Sequence, residues 1–221
     1  MALGFLPIYV YFIGLCFLVS LSVYNTSNFN NRYLNLFPPF LLVTLAAEVY
    51  GSYLSSIDRT NLFIYNFFTV IEFCFYLFLL YKLIKSQTIK KTIFISIILY
   101  PVIAVVNILF FQGMKSFHTI TYALGCLVIV TFSIIYFVQL FRAKEVFKLS
   151  RNPAFWICCG LLFFYCCGFP LYTLINFHKH IPRAFLNSFA SIITVLNIFL
   201  YSLFTIAFIC NLKIRKFTLS R

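Results

Sequence analysis

Seven long apolar stretches, separated by short charged clusters, run the length of this chain. The first extends from Met1 to Asn31. Tyr33 to Ile57 is broken only by Glu48, and Thr60 to Tyr81 only by Glu72. Thr92 to Met114 carries no charge, Ser116 to Phe141 only His118, and Asn152 to Phe177 and Ala184 to Leu212 none. A helix rises 1.5 Å per residue, so ~20 apolar residues cross ~30 Å of hydrocarbon. Every stretch is long enough. Runs such as Ile93 to Phe111 are continuously apolar, whereas the strands of a membrane barrel alternate. Backbone polar groups in lipid must bond within their own segment, so each stretch is predicted to be a helix.

The predicted spans lie near residues 5–24, 36–54, 62–84, 92–111, 118–141, 154–177 and 185–211 of a single domain, 1–221. The expected fold is an all-α, seven-transmembrane-helix bundle. The second span is the weakest, being the shortest and carrying Pro38, Pro39, Glu48 and Gly51. A re-entrant segment there would leave six crossings. Asn152 suits a helix N-cap and Pro153 the first helical position, with Trp156 one turn further at interface depth. Pro101 and Pro170 fall inside spans and should kink them. No Lys or Arg precedes Arg32, so the basic region of a signal peptide is missing and the first span is expected to be retained. The loops are too short to hold a soluble domain, which confines any site to the bundle or its rims.

Basic residues orient the bundle. If the N-terminus is outside, the inner side holds thirteen Lys and Arg, including Lys82, Lys85, Arg142 and Lys213, and the outer side four: Arg59, Lys115, Lys179 and Arg183. The positive-inside rule then predicts an outer N-terminus and a cytoplasmic C-terminus. Composition agrees with a lipid solvent. Hydrophobic residues make up 63% and charged residues 10%, against ~25% charged in soluble domains. A net charge of +13 would suggest nucleic acid in a soluble protein. Here it is dispersed in short clusters suited to topology and anionic headgroups, and no basic-aromatic surface is present, so nucleic acid is excluded as a partner.

Two of the four acidic residues, Glu48 and Glu72, fall within spans. Placing an ionisable group at that depth costs ~2.5–3.5 kcal/mol, and such groups usually face the bundle interior. They either serve function or only bond neighbouring helices. Polar residues recur on the same faces: Thr44, Glu48, Ser52 and Ser55 on the second helix, and Asn66, Thr69, Glu72 and Tyr76 on the third. Asn187, Ser191, Thr194, Asn197 (or the adjacent Tyr201) and Thr205 follow on the seventh, and the fourth adds Asn107. A polar interior shared by helices 2, 3 and 7 would account for all three stripes. The bland alternative is ordinary interhelical bonding, worth ~0.6 kcal/mol per bond.

His118, His178, His180 and Arg183 are predicted on the outer rim. They would form either an anion-attracting or pH-sensitive mouth or a solvated loop. Cys158, Cys159, Cys166 and Cys167 form two pairs eight residues apart, roughly on one face. Their spacing is not that of a zinc site, and close helix packing is the expected role, so no metal is assigned. No catalytic motif is found, and Ala184 to Leu212 holds no lysine for a retinal Schiff base. Neither an enzyme nor a cofactor is expected.

Two segments carry a resemblance. Asn61-Leu62-Phe63-Ile64-Tyr65-Asn66 with Thr69-Val70-Ile71-Glu72-Phe73 resembles the third helix of small, uncharacterised seven-helix bacterial membrane proteins. Asn152-Pro153-Ala154-Phe155-Trp156-Ile157 with Gly160 and Tyr165 resembles their sixth. Similar regions precede some sensor histidine kinases. The resemblance implies a sensory module in the bacterial plasma (inner) membrane, in contact with the lipid bilayer and with a cytoplasmic or membrane signalling partner. It implies no particular ligand. Three functions therefore enter the structural comparison. The first is a sensor or receptor-like module binding a small ligand, lipid or proton in an outward-facing polar pocket. The others are a small transporter or proton-coupled carrier, and a scaffold. A transporter should show a route to both faces, a receptor a cavity closed on the inner side, and a scaffold neither.

Overall fold

The computed structural model describes residues 6–24, 29–114, 116–142, 149–177 and 183–219. Among them are seven α-helices: α1 (Ile8–Leu21), α2 (Phe37–Ser56), α3 (Leu62–Leu83), α4 (Gln87–Asn107), α5 (Thr119–Arg142), α6 (Pro153–Phe177) and α7 (Arg183–Leu219). Six have the length and apolarity to cross a membrane. The exception is α1, whose 14 described residues cover only ~21 Å at 1.5 Å each. The weak span is therefore the first, which was predicted to cover residues 5–24, and not the second. Pro38 and Pro39 occupy the first turn of α2, where an α-helix's N–H groups have no intrahelical acceptor to lose. These prolines start the helix, which runs 20 residues.

The other ends follow local chemistry. Asp58 takes a left-handed φ of 54° after α2. The N–H of Asp58 bonds Ser55 O, and that of Arg59 bonds Leu54 O at 2.9 Å. This double closure satisfies carbonyls that the last turn of any helix leaves open. As predicted, Asn152 caps α6, its Oδ1 accepting the Ala154 N–H at 3.0 Å. Trp156 Nε1 donates to Ser150 O at 3.0 Å. Pro101 and Pro170 lie inside α4 and α6. α4 starts earlier than predicted, so Lys90 and Lys91 belong to the helix, where long stems let charged heads reach the interface. It ends in a π-turn, Ile108–Gln112, closed by Gly113 at φ +75°, a conformation glycine adopts without strain.

Six helices form a ring. α1 packs on α2 and α7, α2 on α3, α3 on α5, α5 on α6, and α6 on α7. α4 stands outside, against α3 and α5. Its outer face shows why: Phe94, Ile98, Val102 and Phe110 are all more than half exposed, acceptable to lipid and not to water. The ring interior is aromatic. Phe37, at the start of α2, meets Phe75, Phe204 and Phe208 with centroids 5.3–5.4 Å apart. Phe40 stacks on Phe75 at 3.7 Å. This cluster fills the ring at the end where α2 begins.

The cysteine pairs do not share a face. Cys158 is fully buried and Cys166 exposed, because eight residues overshoot two turns by about 80° at 3.6 residues per turn.

Candidate functional site

The end of the ring opposite the aromatic cluster is hollow. There α1, α3, α5 and α7 begin and α2 and α6 end. A cavity of about 380 Å³ is lined by residues of all six ring helices and by none of α4. Both intramembrane carboxyls, Glu48 and Glu72, line it. α1 contributes Tyr9, α3 Tyr65 and Thr69, α5 Tyr122, α6 Tyr172, and α7 Asn197 and Tyr201.

Glu48 is held by two phenols from neighbouring helices. Tyr9 donates to its Oε2 at 2.8 Å and Tyr65 to the same oxygen at 3.2 Å. Gly51, one turn further along α2, makes room for this contact. A Cβ there would lie 2.8 Å from Tyr65 Oη. The glycine that weakened the sequence-based span thus admits a ligand of its carboxylate. A second cavity, about 360 Å³, lies beyond Tyr9 and Tyr65 and is lined by Ser52, Ser55, Ser56 and Asn61. The two phenols stand between the cavities.

Glu72 lies ten residues into α3, ~15 Å from its start, and is only 8% exposed. Its surroundings are phenolic as well. The Tyr165 hydroxyl stands beside it, fully buried. The two carboxyls are close enough to sense each other's charge.

His118 stands at the start of α5, as predicted, but it is buried. It precedes α5 near the rim, yet it is 0% exposed and neither solvated nor part of an open mouth. Its Nε2 lies 2.6 Å from Thr69 Oγ1 and 3.1 Å from Asn66 O, and its Nδ1 2.6 Å from Thr121 Oγ1. A carbonyl can only accept, so the Asn66 contact is met when Nε2 carries a proton and donates. Burial holds the imidazole below the usual histidine range, because desolvation disfavours the charged form. Asn66 completes the knot. Its amide donates to Ser116 O at 2.9 Å and its Oδ1 accepts the His118 N–H at 3.2 Å. Asn107 adds α4, donating to Gln112 Oε1 at 2.7 Å and to Thr121 Oγ1 at 3.4 Å.

The predicted stripes divide accordingly. Glu48, Glu72, Thr69, Asn197 and Tyr201 meet at the cavity. Asn66 and Asn107 belong to the knot. Tyr76 points into the aromatic core, 5.4 Å from Phe40, and does not line the cavity. Thr44, Thr194 and Thr205 donate to carbonyls of their own helices four residues back, which hides their polarity from neighbours. Ser191 is exposed on α7. His178 and His180, and the side chains of Arg183 and Asn187, lie outside the described residues. Sequence analysis missed Tyr9, Tyr65, Tyr122 and Tyr172, because an aromatic in a span reads equally as core, lipid face or cavity wall.

Comparison of the chain with protein-family models, with characterised proteins and with solved structures finds no match.

Proposed function

We propose that this membrane protein is a sensor or receptor-like module that binds a small ligand in the six-helix cavity. One observation carries this reading: both intramembrane carboxyls face a single cavity to which every ring helix contributes. At about 380 Å³ it falls within the range of small-molecule sites, ~300–1,000 Å³. A ligand there touches six helices at once, so its binding energy acts directly on their relative packing. The positive-inside rule puts the N-terminal end of the ring, where the cavity lies, outside. The opposite end then presents its Lys and Arg to a cytoplasmic or membrane signalling partner. Transport requires a route through that end. The packing of Phe37, Phe40, Phe75, Phe204 and Phe208 favours the receptor reading over a carrier.

Thiol labelling tests this in sealed membranes. Ile193→Cys, on the cavity wall, should react with a membrane-impermeant methanethiosulfonate added outside and not with one confined inside. The native, fully buried Cys158 should stay unlabelled, with mass spectrometry locating the adduct. Labelling of position 193 from the inside would favour a carrier. No labelling from either side would refute an open cavity.

A further inference from the structure

We propose that the cavity takes a small organic cation, a primary or quaternary amine, seated between Glu48 and Glu72 and enclosed by aromatic faces. This rests on the reading of the cavity as a ligand site and narrows it to one chemical class. Of the sixteen lining residues among those described, two are carboxyls, nine are Phe or Tyr, and none is Lys, Arg or His. An anion would meet two carboxyls and, among the described residues, no positive group. A neutral apolar ligand would fill the space but leave both carboxyls uncompensated in a low-dielectric site. A bare metal ion needs several converging oxygen, nitrogen or sulfur donors, and a wall more than half aromatic does not present them. An organic cation answers both features, since carboxylates and the faces of Tyr and Phe each attract it.

The local geometry supports this seat. Tyr9 and Tyr65 both donate to Oε2 of Glu48, which leaves Oε1 to accept from an ammonium or to lie against methylammonium groups. Glu72 faces the same space, nine-tenths buried. Two carboxyls that share one cavity resist being charged together, and a cation between them favours the charged form of both.

The test uses the full-length chain with Ile193→Cys and two thiol reagents of similar size, the trimethylammonium-ethyl and sulfonato-ethyl methanethiosulfonates. Relative to their rates with a free thiol, the cationic reagent should be favoured by about tenfold or more, as expected for a negative, low-dielectric cleft. The preference should collapse to the free-thiol ratio in the Glu48→Gln/Glu72→Gln chain. Tetramethylammonium should slow labelling in the background that keeps both carboxyls, while tert-butanol, of similar shape and no charge, should not. This protection measurement needs no carboxyl variant and so stands even if the double variant fails to fold. A free-thiol ratio with the carboxyls intact, a preference that survives their replacement, or equal protection by tert-butanol would overturn the cation assignment and leave an open cavity in place. No reaction with either reagent would instead overturn the cavity itself.

Discussion

His118 shows how one side chain decides what a rim can do. A histidine at a loop–helix boundary is ordinarily solvated and titrates near neutrality. This one is sealed among Asn66, Thr69 and Thr121, and burial lowers its proton affinity. The sign of the consequence follows from linkage. In the unfolded chain the imidazole takes up its proton near pH 6.5, and in the folded protein only at lower pH. Stability from this group is therefore complete above that value and declines as pH falls below it. Thermal unfolding in detergent should show a midpoint that drops from pH 7 to pH 5, with a shallower drop in His118→Gln. An unchanged slope in that variant would assign the dependence to other groups. Asn66→Ala should destabilise by about 1–3 kcal/mol, because it strips the buried His118 N–H of its acceptor. Denaturation of the purified protein measures that loss.

Between elements, Gly125 of α5 lets α3 pack closely against it. A Cβ on Gly125 would lie 2.6 Å from the ring of Phe73. That ring is fully buried and wedged against Tyr100, Tyr122 and Tyr165 at 5.0–5.2 Å, so it cannot swing aside. Gly125→Ala should cost about 1–3 kcal/mol through overpacking. Gly160→Ala is the matched control, because its Cβ would meet the mobile end of Leu200 at 3.1 Å, and its effect on the melting temperature should be smaller. Equal effects would mean that the α3–α5 contact is looser than described. Because Tyr122 also lines the cavity, Gly125→Ala should weaken tetramethylammonium protection as well as stability.

For the whole molecule, the odd number of helices places the ends of α1 and α7 on opposite sides of the ring. The proposed orientation puts the Lys-rich and Arg-rich C-terminal end in the cytoplasm. A thiol or protease tag at the C-terminus should be reached only from the cytoplasm, and one at the N-terminus only from outside. The reverse pattern would invert the cavity, turning it toward the cell interior and removing the basis for an external ligand. A ring of six helices with a hollow at one end and an aromatic floor at the other suits a device that converts occupancy into a change of helix packing. α4, outside the ring, would take little direct part.

Much of this was legible in residue order, because a bilayer imposes one-dimensional rules. Helix number, approximate ends, the cap at Asn152 and the intramembrane place of Glu48 and Glu72 all follow from apolar length and from the cost of unpaired polar groups in lipid. The three stripes correctly brought Glu48, Glu72, Thr69 and Asn197 toward one interior. Residue order could not say which face of an all-apolar helix looks inward, since lipid and core favour the same side chains. Tyr9 and Tyr172 therefore carry no signal in the sequence, the Tyr76 spacing points to the site, and His118 reads as a mouth or a solvated loop when it is buried. Those choices depend on which helices close the ring and which one stays outside. Contacts between residues far apart in the chain set that arrangement, and only the folded molecule displays them.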